Sequence, residues 1–234
     1  GNHFIHSVRR NVNLNVLLLN NKIYGLTKGQ YSPTTDRGAI TKSSPYGTVE
    51  DPFIPAELVF GARGTFFARS LDVELATSQE VMVAAARHQG TSVVELLQNC
   101  VIFNHNIHSY VADKEFRADR TVHLRHGEKM IFGKERNRGL ILDGYKLKAV
   151  TIGEDGVTMD DILVHDAKTP ENFLHQALAM MDGHELPLAI GVIRDVDAPV
   201  YDAEVKRQVE EVQQKKGFSC LRDFLLSGET WEVK

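Results

Sequence analysis

The sequence predicts a parallel α/β fold of the doubly wound, Rossmann-like kind, followed by a C-terminal α+β extension. Three observations predict it. "NVNLNVLLLNN" (11–21) holds an unbroken Val/Leu run between asparagines, the pattern of a strand covered on both faces in a parallel sheet. Strand-like and helix-like segments then alternate as far as about residue 103, the order that builds a parallel sheet with right-handed crossovers. Beyond that point the alternation gives way to charged, His-rich and weakly periodic sequence.

Taken in order, "NHFIHSVRRN" (2–11) predicts a helix, with Phe4, Ile5 and Val8 on one side. The 11–21 strand follows, then a polar loop. "PAELVFGARG" (55–64) predicts a helix with Pro55 at its start, and "TFFARSL" (65–71) a buried strand. In "TSQEVMVAAARHQG" (77–90), Thr77 or Ser78 can cap a helix that Gly90 closes. "TSVVELLQNC" (91–100) is the third strand. Residues 1–103 are therefore expected to form one side of a doubly wound domain and 104–234 an extension. Within the extension, 104–138 reads mostly as a surface segment. "LILDGYKLKAV" (140–150) carries Asp143-Gly144 between apolar runs, a hairpin signal, and "LPLAIGVIRDV" (186–196) is a further strand. Val205, Val209 and Val212 fall on one helical face as core or subunit contact, Gly217 ends that helix, and "SCLRDFLLSG" (219–228) makes another. The single Trp, Trp231, is expected to pack.

Composition narrows the function classes. The chain of 234 residues has 27 Lys or Arg against 31 Asp or Glu, a formal charge of -4. With only the pair Arg9-Arg10 as an early basic cluster, no nucleic-acid or anionic membrane surface is indicated. The apolar run Val16–Leu19 is far too short to span a bilayer, so a cytoplasmic protein is expected. Two cysteines, Cys100 and Cys220, make no disulfide framework; one bridge, a buried thiol or a ligand all remain open.

The loop "NNKIYGLTKGQYSPTT" (20–35) is where chemistry concentrates, because ligands of open parallel sheets sit beyond the carboxyl ends of strands. Asn20 and Asn21 supply side-chain oxygens and the irregular backbone supplies carbonyls, which suits Mg²⁺ holding phosphate oxygens. Gly25 and Gly29 allow close backbone approach, and Lys28 offers charge to a phosphate or carboxylate. Thr27, Gln30 and Ser32 add donors. A loop whose asparagines and glycines only make turns is the plain alternative.

"GNHFIHSVRRNVNLNVLLLNNKIYGLTKGQYSPTT", continued by "TKSSPYG" (41–47), resembles the thiamine-diphosphate-binding segment of the β subunit of 2-oxoacid:ferredoxin oxidoreductases, in particular the 2-oxoglutarate type. The likeness runs on through "TFFARS", "LLQNCVIFN" and, more loosely, the 141–166 region to "GETWEV". It implies a thiamine-diphosphate-binding domain in which Asn21 and the Ile23 carbonyl bind Mg²⁺. Tyr24, Gly25, Leu26 and Thr27 then lie along the cofactor, with Leu26 near the reactive ring and Lys28 meeting the carboxylate end of a 2-oxoacid. It implies that Cys100 is the last of four cysteine ligands to a 4Fe-4S cluster. The family's GDGD aspartate and the other three cysteines lie upstream of its Gly-Asn-His, so the chain is expected to be the C-terminal portion of a longer subunit. The implied partners are an α subunit, ferredoxin, a 2-oxoacid and coenzyme A. The implied reaction is oxidative decarboxylation to an acyl-CoA with electrons passed to ferredoxin. Pyruvate or a branched 2-oxoacid in place of 2-oxoglutarate, and a non-catalytic assembly role, stay open.

Other features read as plain structure. The H-x-x-H spacings at His3/His6, His105/His108 and His123/His126 lack the further ligands that a zinc site needs. "HGEKMIFGKERNRG" (126–139) reads as a solvated basic loop ahead of a ferredoxin-docking face.

Overall fold

In the computed structural model, which describes residues 1–216, 220–229, 231 and 233, the expected alternation is present. Helix α1 (Asn2–Arg10) stops at Asn11, whose φ of 52° is left-handed. Asn tolerates that conformation better than most residues, and here it frees a side chain for four contacts. The Asn11 amide oxygen accepts the Thr91 N–H and the Thr65 hydroxyl, each at 2.9 Å, while its nitrogen donates to the carbonyls of Pro199 (3.0 Å) and Ala198 (3.5 Å). A side chain at Gly90 (φ 119°) would collide with that amide, so only glycine fits beside it.

The strand β1 (Leu14–Asn20) is followed by the long loop, α2 (Pro55–Gly61), β2 (Phe66–Leu71), α3 (Leu75–Arg87) and β3 (Thr91–Leu97). The predicted cap at Thr77 or Ser78 is corrected: α3 begins earlier, and Thr77 sits inside its first turn with its hydroxyl on Glu74. Then come α4 (Ser109–Ala112), α5 (Lys114–Arg120), β4 (Thr121–Leu124), β5 (Ile131–Phe132), β6 (Arg138–Asp143) and β7 (Lys146–Thr151). The chain continues with α6 (Phe173–Ala179), β8 (Leu188–Asp195), α7 (Tyr201–Lys216) and α8 (Leu221–Leu225).

Among the described residues the central sheet has the order β1-β3-β2-β8-β4. The first three strands are parallel, β8 runs antiparallel to β2, and β4 runs parallel to β8. Two strands from beyond residue 103 thus complete the sheet begun before it. Its two faces bury different elements, as a doubly wound sheet requires. Phe67 and Val93 face a core shared with Val8, Val59, Phe60 and Leu178, while Phe66, Ala68 and Val94 face Val81 and Ala85 of α3. β5, β6 and β7 form a small antiparallel sheet; the hairpin predicted from Asp143-Gly144 is present, with its two-residue turn one position on, at Gly144-Tyr145.

Three further expectations are corrected. β1 is an edge strand, and Leu14, Leu17 and Leu19 are exposed; the apolar run lacks a second layer among the described residues. Segment 104–138 is not mainly surface, since Val111, Val122, Leu124, Met130 and Phe132 are buried in the core. Val205, Val209 and Val212 are exposed, so they are not core in this chain, which leaves the subunit-contact alternative; Trp231 is exposed as well. The predicted helix end at Gly217 lies outside the described residues. No described helix is long and apolar enough to cross a membrane.

At the carboxyl ends of β1, β2 and β3 lies a buried ion pair. The Glu95 carboxylate on β3 (2% exposed) accepts the Arg69 Nε–H from β2 at 2.8 Å and the Asn20 amide from β1 at 2.8 Å. Arg69 also donates to the Ala179 carbonyl at 2.9 Å, so three strands and α6 meet on two side chains. Glu95→Ala, which strands the Arg69 guanidinium without its carboxylate, is expected to cost ~3–5 kcal/mol in urea unfolding. Glu95→Gln, which keeps an acceptor, is expected to lose clearly less; equal losses would show that the charge pair is irrelevant.

Candidate functional site

The loop after β1 is built on that buried anchor. Asn20 turns inward: besides its bond to Glu95, its amide oxygen accepts the Thr34 hydroxyl at 2.8 Å and the Lys22 N–H at 3.3 Å. Its backbone carbonyl accepts from the His108 ring at 2.9 Å. Both lone pairs of the amide oxygen are spent, so Asn20, which the sequence offered as a cation ligand, is a structural residue. Burial lowers the pKa of His108, which keeps the ring neutral with one N–H to donate. The H-x-x-H pair of which it is part is split, with His105 exposed, and no group of three or more His, Cys, Asp or Glu that could hold a metal occurs among the described residues.

Asn21 does the opposite. Its side-chain oxygen accepts the Ile23 N–H at 3.1 Å, an Asx turn that leaves one lone pair available. Lys22 adopts a left-handed φ of 53° at the turn, and its amine pairs with Asp36 at 2.8 Å. Asn104 donates to the Asn21 carbonyl at 3.0 Å, and Thr35 to the Lys22 carbonyl at 2.6 Å, which holds the two peptide planes ahead of Ile23. No hydrogen bond is made to the Ile23 carbonyl among the described residues. Two oxygens, the Asn21 amide and the Ile23 carbonyl, are therefore available side by side in sequence, the donor type a hard cation takes.

These residues border a cavity of about 520 Å³, whose walls include Leu18, Asn21, Ile23, Gly25 and Leu26. That is the size range of cofactor sites. Leu18, half-buried, lies on the cavity side of β1, while Leu17 and Leu19 on the opposite face are exposed. Tyr24 lines the cavity as well, whereas Thr27 and Lys28 do not. Leu26 is 98% exposed, and Lys28 is an exposed left-handed residue (φ 69°) at the tip of the loop. The loop closes on itself through Tyr24 N–H to the Gln30 carbonyl (2.9 Å), with Gly29 (φ 94°) against the Phe103 ring.

Cys100 stands next to this loop: a Cβ placed on Gly25 would lie 3.6 Å from its sulfur. The backbone N–H of Phe103, helped by those of Ile102 and Asn104, lowers the pKa of the thiol by hydrogen bonding to the thiolate. A thiolate held by amides is the donor an iron–sulfur cluster takes. Cys220 is exposed on another part of the chain, and both cysteines are free.

Sequence reading missed Arg69, Glu95, Thr34, Asn104 and His108. One signal was present: Arg69 and Glu95 interrupt "FFARSL" and "SVVELL", and a charge inside a buried strand needs a partner.

Residues 1–96 match the family model described as thiamine pyrophosphate enzyme, C-terminal TPP binding domain. The whole chain is 39% identical to the 2-oxoglutarate oxidoreductase subunit KorB of Mycobacterium tuberculosis, of which it covers 62%. Over 43% of the chain and 38% of the relative it is 45% identical to the 2-oxoglutarate synthase subunit KorB of Archaeoglobus fulgidus. A solved structure of the 2-oxoglutarate:ferredoxin oxidoreductase from Magnetococcus marinus, with 2-oxoglutarate, coenzyme A and succinyl-CoA bound, shares the fold. The TM-score is 0.67 at 24% identity, over 98% of this chain and 63% of that one. The chain thus spans under two thirds of the length of these relatives. The chain is similar, along its whole length, to a subunit of a 2-oxoglutarate oxidoreductase and, over about half of it, to β subunits of 2-oxoacid:ferredoxin oxidoreductases.

Proposed function

We propose that this chain forms the cofactor-holding part of the β subunit of a cytoplasmic 2-oxoglutarate:ferredoxin oxidoreductase. With an α subunit it would convert a 2-oxoacid, coenzyme A and oxidised ferredoxin into an acyl-CoA, carbon dioxide and reduced ferredoxin. The observation that carries this reading is the 39% identity, over the whole length of the chain, to a relative named as a 2-oxoglutarate oxidoreductase subunit.

The residues divide the work. The Asn21 amide oxygen and the Ile23 carbonyl would hold Mg²⁺, and through it the diphosphate of thiamine diphosphate. The inward bonds of Asn20 keep both in place without using either. Leu18 and Ile23 give the cofactor an apolar wall that excludes water from the reacting centre. Bound thiamine diphosphate supplies the electron sink for decarboxylation. The exposed tip, Leu26 to Lys28, faces outward, where the ammonium of Lys28 would meet a substrate carboxylate brought by the α subunit. Cys100, already biased to the thiolate, would be one ligand of a 4Fe-4S cluster beside Gly25. That cluster supplies one-electron carriage toward ferredoxin.

Asn21→Ala in the assembled enzyme is expected to weaken Mg²⁺-dependent thiamine diphosphate binding by about 100-fold, read by the quenching of protein fluorescence during titration. Unchanged affinity would remove Asn21 from the metal site. Lys28→Ala is expected to raise KM for 2-oxoglutarate by roughly 10–100-fold, the loss of one charged hydrogen bond, while cofactor affinity stays as it was. A KM for 2-oxoglutarate that does not move would place the carboxylate contact elsewhere.

A further inference from the structure

Away from the loop, at the β4 edge of the sheet, positive charge collects. Residues 114–139 contain eight Lys or Arg and four Asp or Glu, a local excess of four positive charges in a chain whose total is -4. Folding concentrates them further. Lys114 and Arg117 on α5, Arg125 after β4, and Lys129 and Arg136 around β5 converge on one cleft of about 600 Å³. Glu128 is the one acidic residue lining it, and Ile131 and Phe132 give it an apolar floor.

The cations there are committed to different degrees. Arg117 lies 3.6 Å from Glu74 in a largely buried pair and donates to the Ala112 carbonyl at 3.1 Å, and Lys129 donates to the Met159 carbonyl and lies 3.4 Å from Asp160. Arg125 lies 3.5 Å from Glu80 with both side chains exposed, and such an exposed pair contributes little. Lys114 and Arg136 form no ion pair among the described residues. A ligand with several anionic oxygens would satisfy the two unpaired cations, Lys114 and Arg136, and draw Arg125 from its exposed pair. The concave shape and the volume, within the range of small-molecule sites, favour a compact ligand over a flat acidic protein face.

We propose that this cleft binds a small phosphate-bearing anion of nucleotide size. It is a different place from the cofactor cavity: β1 and β4 are the two edges of the sheet, four strand spacings or roughly 19 Å apart. Coenzyme A, a substrate of the proposed reaction, carries phosphates of this kind: competition between coenzyme A and ADP would assign the cleft to its nucleotide portion and tie the site to that reading, and ADP binding without competition would assign it to a separate ligand.

Calorimetric titration of the assembled protein with inorganic pyrophosphate and with ADP tests it. The variants are Lys114→Gln combined with Arg136→Asn, Asn21→Ala, and Lys206→Ala as an exposed cation outside the cleft. Asn at 136 keeps the left-handed backbone there (φ 51°), so the double variant is expected to fold. The expected result is one binding event that survives Asn21→Ala and Lys206→Ala. It weakens about tenfold or more in the double variant, and it fades as salt rises from about 50 to about 300 mM. The proposal is overturned if all binding disappears with Asn21→Ala, if Lys206→Ala weakens it equally, or if only an acidic protein or an oligonucleotide binds.

Discussion

The Glu95 carboxylate is the constraint on which the rest depends. It is almost fully buried and joins β1, β2 and β3 at the end of the sheet from which the long loop departs. A buried carboxylate must be matched, and matching it draws in Arg69 from one neighbouring strand and Asn20 from the other. The commitment of Asn20 inward decides the direction of everything after it. The next residue, Asn21, begins the turn, and the chain reverses through the left-handed Lys22 to present Ile23.

A loop proposed to hold a doubly charged ion and a diphosphate binds more tightly if its shape is set before binding, because ordering it on binding would cost affinity. Here the ordering is done in advance by bonds that do not touch the ligand: Asn104 and Thr35 on the loop carbonyls, His108 on the Asn20 carbonyl, and Thr34 on its amide. Cys100 and Asn104 come from one short turn, so the Cys100 thiol and the proposed cofactor loop are positioned by the same few residues. That is a physical route for placing an electron acceptor beside a cofactor.

Much of this was legible in the sequence. The three parallel strands, α1, α2 and the 143–144 hairpin follow from apolar periodicity, Pro55 and Asp143-Gly144. The position of the loop followed from the carboxyl-end rule, and the identity of its residues from a resemblance. What was not legible was non-local. That β8 pairs antiparallel to β2, across more than a hundred residues, and that 104–138 feeds the core, depend on contacts that no local window contains. Side-chain chemistry alone does not separate Asn20 from Asn21; the resemblance singles out Asn21, and the bond of Asn20 to Glu95, 75 residues on, gives a physical reason. The Val/Leu run of β1 predicts cover on both faces because periodicity reports what a strand can bury; Leu18 instead lies by a cavity, and Leu17 and Leu19 on the other face are exposed.

The most direct test of the central claim is a crystal structure of the assembled enzyme with Mg²⁺ and thiamine diphosphate. The account predicts the metal at roughly 2.1 Å from both the Asn21 amide oxygen and the Ile23 carbonyl, with Asn20 still bonded to Glu95. A metal coordinated through Asn20, or a loop that abandons the Glu95 anchor when the cofactor binds, would contradict it.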